Sequence, residues 1–233
     1  MQTDYIIDKF REAGFEISEA QAAQFFRYYG LLTEWNEKFN LTAITDFEEV
    51  VVKHFIDSCL GASLVENKAG TLCDIGTGAG FPGIPLKIMF PELQVLLVDS
   101  LNKRVVFLNE VIKELGLKDI TAIHGRAEEI TRKAEYREMY DTCVSRAVAA
   151  LPSLSELCIP FVKKGGLFIA YKSQKAGEEF EASANALDTL GCSGELKNLS
   201  LFGADRTFVV CRKLRETPKK YPRAGGKPFS KPL

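Results

Sequence analysis

The chain has 233 residues, of which 46% are hydrophobic and 26% charged, and its net charge is −1. This composition is ordinary for a soluble globular protein, and no apolar run approaches the roughly 20 residues that a membrane span needs. Six cysteines occur without a C-x-x-C pair, and neither of the two histidines lies near a pair of cysteines. We therefore expect reduced thiols in a cytoplasmic protein, with no metal site, no membrane association and no secretion signal.

Charge is distributed unevenly along the chain. Residues 1–50 carry ten acids and four bases, whereas residues 212–233 carry eight bases and one acid. A basic end on a nearly neutral protein favours a polyanionic partner. A solvated, partly disordered tail explains the same charges, and both interpretations stay open on charge alone.

The first third of the sequence is helical in pattern. Apolar residues at helical spacing predict helices over 1–14 and 18–39, the second capped by Ser18. A third helix begins at Asp46 and carries His54 and Asp57, which share a face because they are three residues apart. These two side chains form either an acid–base pair or a structural hydrogen bond that docks the helix, and we favour the structural interpretation.

From residue 70 the pattern alternates between strands and helices, which predicts a doubly wound α/β sheet with parallel strands. The predicted strands are 71–76, 93–98, 119–123, 140–145 and 165–171, followed by closing strands at 194–201 and 206–212. The predicted helices are 83–90, 102–115, 126–134, 152–160 and 175–190. We therefore divide the chain into an N-terminal helical extension, residues 1–65, and an α/β domain, residues 66–233, with a basic tail from about residue 215.

The stretch TLCDIGTGAGFPGIP, residues 71–85, reads as a strand, a glycine-rich turn and a helix. Gly78-x-Gly80-x-x-Gly83 fits a dinucleotide fingerprint, and D-x-G-x-G-x-G at 74–80 fits an S-adenosylmethionine pocket. Asp74 would repel a pyrophosphate at the turn but favours a ligand that carries a sulfonium and an amino group. The charge therefore favours S-adenosylmethionine, with a nicotinamide-dependent oxidoreductase as the alternative.

The remaining pocket residues are expected at the carboxyl ends of the other strands, where ligands bind in such sheets. Asp99 ends the second strand and can accept hydrogen bonds from both ribose hydroxyls, and the loop 124–128 then borders the adenine ring. Ser145-Arg146-Ala147 follows the fourth strand, where the methyl group meets its acceptor, and it lacks the Asn/Asp-Pro-Pro-aromatic turn of many amine methylating enzymes. Arg146 either holds a phosphate or a guanine edge, or only pairs with an acid such as Glu128.

Several segments together match one family. The chain resembles the bacterial small-subunit ribosomal RNA guanine-N7 methyltransferases, also called glucose-inhibited division protein B. The matching segments run in order from about residue 35 to the C-terminus: NLTAIT (40–45), KHFIDS (53–58), DIGTGAGFPGIPL (74–86), DSLNKRVVFLN (99–109), GRAEE (125–129), VSRAVA (144–149), YKS (171–173), RTFVV (206–210) and YPRAGGKP (221–228).

The resemblance implies a class I S-adenosylmethionine-dependent methyltransferase fold, Rossmann-like, with a seven-stranded, mostly parallel sheet and an N-terminal helical extension. It implies S-adenosylmethionine as cofactor and one guanine of the small-subunit (16S) rRNA as substrate. Arg146 and Lys172 are expected to position the substrate, with no general base because N7 carries no proton. The cofactor-binding residues it implies, together with those argued above, are Asp74, Gly76, Gly78, Gly80, Phe81, Asp99, Ser100, Leu101, Ala127, Glu128 and Arg146.

The partner implied is the rRNA itself or the 30S particle, bound by a monomer. The expected RNA-binding cations are Lys53, Arg104, Arg126, Arg206, Lys219, Lys220 and Arg223. The segment 221–228 is expected to fold back near the active site. A non-catalytic RNA-binding assembly factor that retains the pocket is the second alternative.

Overall fold

One seven-stranded sheet runs through residues 2–146, 148–173 and 175–233, which the computed structural model describes. Ala147, part of the predicted acceptor turn, lies outside the described residues. The strand order is β3-β2-β1-β4-β5-β7-β6. The strands are β1 (Thr71–Ile75), β2 (Gln94–Asp99), β3 (Ile120–His124), β4 (Tyr140–Arg146), β5 (Val162–Lys172), β6 (Cys192–Leu201) and β7 (Ala204–Lys213).

Strands β1 to β5 pair in parallel, and β7 is antiparallel to both β5 and β6. The central strands are buried along nearly their whole length, as expected for a parallel sheet covered by helices on both faces. The carboxyl ends of β1, β2, β3, β4 and β5 meet at one edge. The predicted mostly parallel, seven-stranded class I sheet is confirmed.

The helices fill the predicted positions, with two differences. Helix 126–134 shortens to one turn, and the predicted helix 175–190 is divided at Ser183, whose hydroxyl donates to the carbonyl of Phe180 in competition with the helix backbone. The α-helices are α1 (Gln2–Glu12), α2 (Glu19–Phe39), α3 (Phe47–Val50), α4 (Asp57–Leu60), α5 (Gly83–Met89), α6 (Asn102–Glu114), α7 (Ala127–Ile130), α8 (Leu151–Cys158), α9 (Ala176–Ala182), α10 (Ala184–Leu190) and α11 (Lys227–Ser230).

Helix α2 joins the helical extension to the glycine turn. Its predicted cap is present, because Ser18 and Gln21 form a reciprocal capping box. Gln21 also donates to the carbonyl of Ile88 at 2.7 Å, and the buried hydroxyl of Tyr28 donates to the carbonyl of Ala79 inside the turn. The extension shares one hydrophobic cluster with a face of the sheet, so it supports the turn from behind.

The helix that begins after Asp46 changes its winding. Asp46 caps the first turn by accepting from the amide of Glu49 at 3.0 Å. Helix α3 continues into a π-helical stretch, Val51–Ile56, and then into α4. Such wide turns occur often at functional sites, and this one carries two residues singled out from the sequence, Lys53 and His54.

The basic tail packs against the α/β domain. Arg137, just before β4, donates to the carbonyls of Thr217 and Tyr221 at 2.9 Å each, which holds the start of the tail near the amino end of the sheet. Arg223 then pairs with Glu156 on α8 at 2.6 Å. The tail therefore runs along α8 toward the carboxyl edge of the sheet.

Candidate active site

Asp74 braces the glycine turn from within. Its Oδ2 accepts from the hydroxyl of Thr77 at 2.7 Å and from the amide of Gly83 at 2.8 Å, so one carboxylate ties both ends of the turn together. Burial raises the pKa of Asp74 to about 7. Its Oδ1 is buried without a hydrogen-bond partner among the described residues. A carboxylate in this state favours a nearby cation.

The turn itself requires glycine at three positions. Gly76, Gly78 and Gly80 have φ of +70°, +64° and +100°, a region that L side chains rarely adopt. A Cβ at Gly76 would also collide with Val148, whereas the space beside Gly78 is open. The backbone at Gly78 is therefore open to a ligand, whereas Val148 covers Gly76.

Asp99 stands at the end of β2 with only 2% of its surface exposed. Its Oδ2 accepts from the amide of Gly78 at 2.9 Å and from Arg104 at 3.3 Å, and its Oδ1 accepts from the amide of Leu101 at 2.9 Å. The carboxylate thereby couples the glycine turn to the start of α6. Oδ2 already accepts two bonds, but Oδ1 accepts only one and keeps a second acceptor site, so a hydroxyl donor of a ligand can still bind there.

A cavity of about 240 Å³ opens above Asp99, and we call it the acidic cavity. Seven of its lining residues were predicted from strand ends or from the resemblance: Gly76, Asp99, Ser100, Gly125, Arg126, Ala127 and Glu128. Five apolar residues were missed: Ile75 and Val98 from β1 and β2, Val148 and Leu157 from the β4–α8 region, and Phe229 from the tail. Two carboxylates in a small, partly apolar site suit a ligand with cationic and hydroxyl groups and an apolar ring, and disfavour a pyrophosphate.

A second cavity, of about 620 Å³, adjoins the first, and Val148 lines both. We call it the basic cavity because four cations line it against two acids, Asp57 and Glu179. The cations come from the π-helical stretch, from the ends of β4 and β5 and from β7: Lys53, Arg146, Lys172 and Arg206.

Asp57 holds two of these cations. Its Oδ2 accepts from Arg146 at 2.9 Å and its Oδ1 from Arg206 Nε at 2.6 Å, and only 4% of its side chain is exposed. Arg146 therefore pairs with Asp57, and not with Glu128 as the alternative interpretation had it. Its guanidinium also lies 5.0 Å from the ring centre of Phe81. The predicted cofactor residues Arg146 and Phe81 thus lie on the side of the basic cavity.

His54 packs beside this ion pair. Its ring stacks on Phe81 with 4.6 Å between centres, and its Nε2 lies 2.8 Å from the hydroxyl of Thr42. Burial and the neighbouring Arg146 lower the pKa of His54 to about 4, so the imidazole is neutral at pH 7. Asp57 binds two arginines and His54 binds Thr42, so these two side chains dock the helix through other residues and not through a hydrogen bond to each other.

Lys172 is also held in place. Its Nζ donates to the carbonyl of Ala149 and to Oε2 of Glu179, both at 2.7 Å. The same oxygen of Glu179 accepts from the amide of Leu151 at the start of α8. Lys172 therefore reaches the basic cavity from a fixed position between β5 and α8.

The remaining predicted residues are more scattered. The Cβ that Gly80 lacks would collide with Tyr28 and Ile84, so that glycine serves packing, and Leu101 contributes its amide to Asp99. Lys219 and Lys220 line neither cavity and follow Thr217 near the amino end of the sheet. Arg223 is engaged by Glu156.

Residues 2–146, 148–173 and 175–233 contain neither a metal site nor a membrane-spanning helix. In these ranges no cluster of histidine, cysteine and acidic side chains has the geometry to hold a metal ion. None of the described helices is long and apolar enough to cross a membrane. All six cysteines are buried and free.

The strand order, the glycine turn after β1 and the buried acid at the end of β2 define the protein as a class I S-adenosylmethionine-dependent methyltransferase. The site fits this cofactor on its own geometry. The carboxylates of Asp99 and Glu128 give the cavity a negative lining that suits a cationic ligand, Asp99 also suits hydroxyls, and the open backbone at Gly78 admits close approach. Neighbouring solved structures agree in fold, among them a SAM-dependent methyltransferase from Aquifex aeolicus, with a TM-score of 0.54 at 17% identity, covering 74% of this chain and 96% of that chain.

The family follows from sequence comparison. Residues 21–208 match the model of the GidB family, described as rRNA small subunit methyltransferase G. A relative named ribosomal RNA small subunit methyltransferase G from Lachnoclostridium phytofermentans is 55% identical over 97% of this chain and 96% of its own length. One with the same name from Bacillus subtilis is 49% identical over 95% of each chain. The chain belongs to this family, which confirms the resemblance and removes the oxidoreductase alternative.

Proposed function

We propose that this protein transfers the methyl group of S-adenosylmethionine to N7 of a guanine in small-subunit (16S) rRNA. The names of its relatives support an rRNA substrate. The observation that carries the proposal is the contact of two cavities of opposite charge, which share Val148 as a wall. A cationic cofactor suits the acidic cavity, and a polyanionic acceptor suits the basic one.

The cofactor, when bound, supplies an activated methyl group on a sulfonium. Asp99 is placed to hold ribose hydroxyls, and Ala127 and Glu128 border the adenine end. The glycine turn, braced by Asp74, gives the methionine end a close-fitting backbone. These residues orient the methyl donor and exclude water from one side.

The acceptor side needs alignment more than proton transfer. N7 of guanine carries a lone pair and no proton, so no general base is required for attack on the methyl carbon. The neutral His54 stacks on Phe81, with its Nδ1 3.5 Å from Arg146, and it is not needed as a base. Arg146 and Lys172, each fixed by a carboxylate, hold the O6 edge of the guanine or the adjoining phosphate, and catalysis results from proximity and orientation.

Cations around the basic cavity extend this surface to the neighbouring nucleotides. Lys53 is about half exposed on the π-helical stretch, and Arg206 reaches the cavity from β7. Arg104 and Arg126 lie on the acidic side, where they face the same edge of the sheet. We propose these four cations as phosphate contacts. We expect a smaller contribution to RNA binding from Arg223, which is paired with Glu156, and from Lys219 and Lys220, which lie far from the basic cavity.

The decisive experiment maps N7-methylguanosine in 16S rRNA by mass spectrometry, in cells with and without the gene. We expect one methylated guanine to disappear on deletion and to return with the wild-type gene, but not with Arg146→Ala. An unchanged methylation map would contradict the proposed function. A non-catalytic assembly factor would give that result while still binding 30S particles.

We further propose that the protein acts as a monomer in the cytoplasm. This location follows from an rRNA substrate. Sedimentation of the purified protein at several concentrations tests the monomer, and a concentration-dependent increase in mass would contradict it.

A further inference from the structure

The C-terminal segment, residues 221–233, contributes a wall to the acidic cavity. Phe229 lines that cavity together with Asp99, Ala127 and Leu157, and it is the one aromatic side chain among the described lining residues. Its ring is 49% exposed, which is unusual for a phenylalanine in a closed site. Apolar surface is therefore available on the cavity side for a ligand to cover.

A buried ion pair anchors the segment. Glu156 on α8 is fully buried, and Arg223 donates to both of its oxygens through Nε and Nη2, at 2.9 to 3.1 Å and 2.6 Å. The amide of Arg223 adds a fourth bond to Glu156 at 2.6 Å. Arg132, after α7, donates to the carbonyl of Pro222 at 2.9 Å. These contacts attach the segment to the helices that flank the acidic cavity.

The rest of the segment is closed into a loop. Gly225 and Gly226 have φ of +68° and +71°, which turns the chain sharply before α11. The amide of Phe229 donates to the carbonyl of Gly226 at 3.0 Å, and Arg223 reaches the carbonyl of Lys231 at 2.8 Å. Arg223 therefore fixes both ends of the loop that presents Phe229.

We propose that this segment completes the cofactor site and that Phe229 contacts the adenosine end of S-adenosylmethionine. The assignment rests on the proposed function, since it takes the acidic cavity as the binding site of the methyl donor. Phe229 shares the cavity with the acid that faces the ribose and the loop that borders the adenine. An aromatic ring gains contact energy against a purine ring in an offset-stacked or edge-to-face arrangement. The basic tail then serves cofactor retention more than RNA binding.

Titration of purified Phe229→Ala with S-adenosylhomocysteine, followed by calorimetry, tests the assignment. We expect about tenfold weaker binding than wild type, equivalent to about 1.4 kcal/mol, from the loss of one aromatic contact to a base. Phe229→Leu should lie between the two. Phe202→Ala is the matched control, because Phe202 is 47% exposed but lies on the β6–β7 turn outside the acidic cavity, and its affinity should equal wild type.

Thermal unfolding without ligand separates a contact from a folding defect. A half-exposed ring should leave the unfolding midpoint of Phe229→Ala close to that of Phe202→Ala. Unchanged or tighter S-adenosylhomocysteine binding by Phe229→Ala would overturn the proposal. Tighter binding would show that the Phe229 ring occupies space that the ligand needs. If wild type binds S-adenosylhomocysteine but methylates no guanine in 16S rRNA, the proposed function fails while the role of Phe229 stands.

Discussion

The two adjoining cavities differ in charge, and the difference assigns their ligands. The acidic cavity presents Asp99 and Glu128, with Asp74 behind the turn, whereas the basic cavity presents four cations, three of them held by its two acids. The acids sit at the ends of β1 and β2 and just after β3, and the cations come from β4, β5, β7 and the helical extension. A cationic donor and an anionic acceptor can therefore meet at Val148 without either site repelling its own ligand.

The largest effect is expected from a substitution that disrupts ligand binding in the acidic cavity alone. Asp99→Ala removes hydroxyl acceptors and leaves the amides of Gly78 and Leu101 without their partner. Since hydrogen bonds to a charged group contribute about 1.5–3 kcal/mol each, we expect S-adenosylhomocysteine affinity to fall at least about 100-fold in calorimetry. Arg206→Ala is the control and should bind the ligand normally. Equal losses in both variants would show that the cavities do not divide the ligands.

The next largest effect is expected from substitutions that disrupt substrate binding in the basic cavity alone. Arg146→Ala and Lys172→Ala should each lower kcat/KM for rRNA by about 30-fold, as expected for the loss of a charged substrate contact of about 2 kcal/mol. S-adenosylhomocysteine affinity should stay within about twofold of wild type. A variant that loses cofactor affinity while binding RNA normally would contradict the assignment of that residue to the acceptor side.

The charge contrast also predicts a pH dependence. Burial raises the pKa of Asp74 to about 7, so its carboxyl is neutral in the folded protein below that value. The stability this group contributes is present in full below the ordinary aspartate pKa and is lost as pH rises through about 7. A cationic ligand favours the ionised form, so affinity should rise about tenfold between pH 6 and pH 8.

Calorimetry in buffers of different ionisation enthalpy measures this linkage as proton release on binding near pH 6.5. Asp74→Asn should abolish both the release and the pH dependence. Its unfolding midpoint should also vary less than that of wild type between pH 5 and pH 8. Persistent proton release in Asp74→Asn would assign the titration to another group.

The smallest effect is expected on the salt dependence of rRNA binding, which identifies the cations that contact RNA. Arg206→Ala should reduce the slope of log K against log salt for rRNA binding by about 0.7–0.9, the value for one phosphate contact. Lys219→Ala and Lys220→Ala remove equal charges far from the basic cavity and should leave the slope unchanged. Filter binding at several salt concentrations measures all three. Equal reductions would extend the surface to the amino end of the sheet.

Much of the fold and half of the site follow from local patterns. The alternation of strands and helices predicts the sheet because each element's periodicity is encoded within a few residues. The glycine spacing at 74–80 predicts the turn, and the strand ends predict Asp99, Ser100, Ala127 and Glu128 as neighbours. These residues lie on loops whose place in the sheet depends only on strand order.

Long-range packing decided the rest. Asp57 meets Arg146 across 89 positions and Arg206 across 149, and nothing in the spacing of charged residues identifies which acid pairs with which cation. The same holds for the pair of Glu156 and Arg223, which carries the tail to the acidic cavity and brings Phe229 into its wall. Ion pairs and cavity walls depend on which surfaces meet when the layers pack. The sequence therefore specified the chemistry at the strand ends, and the tertiary structure selected the partners that hold it.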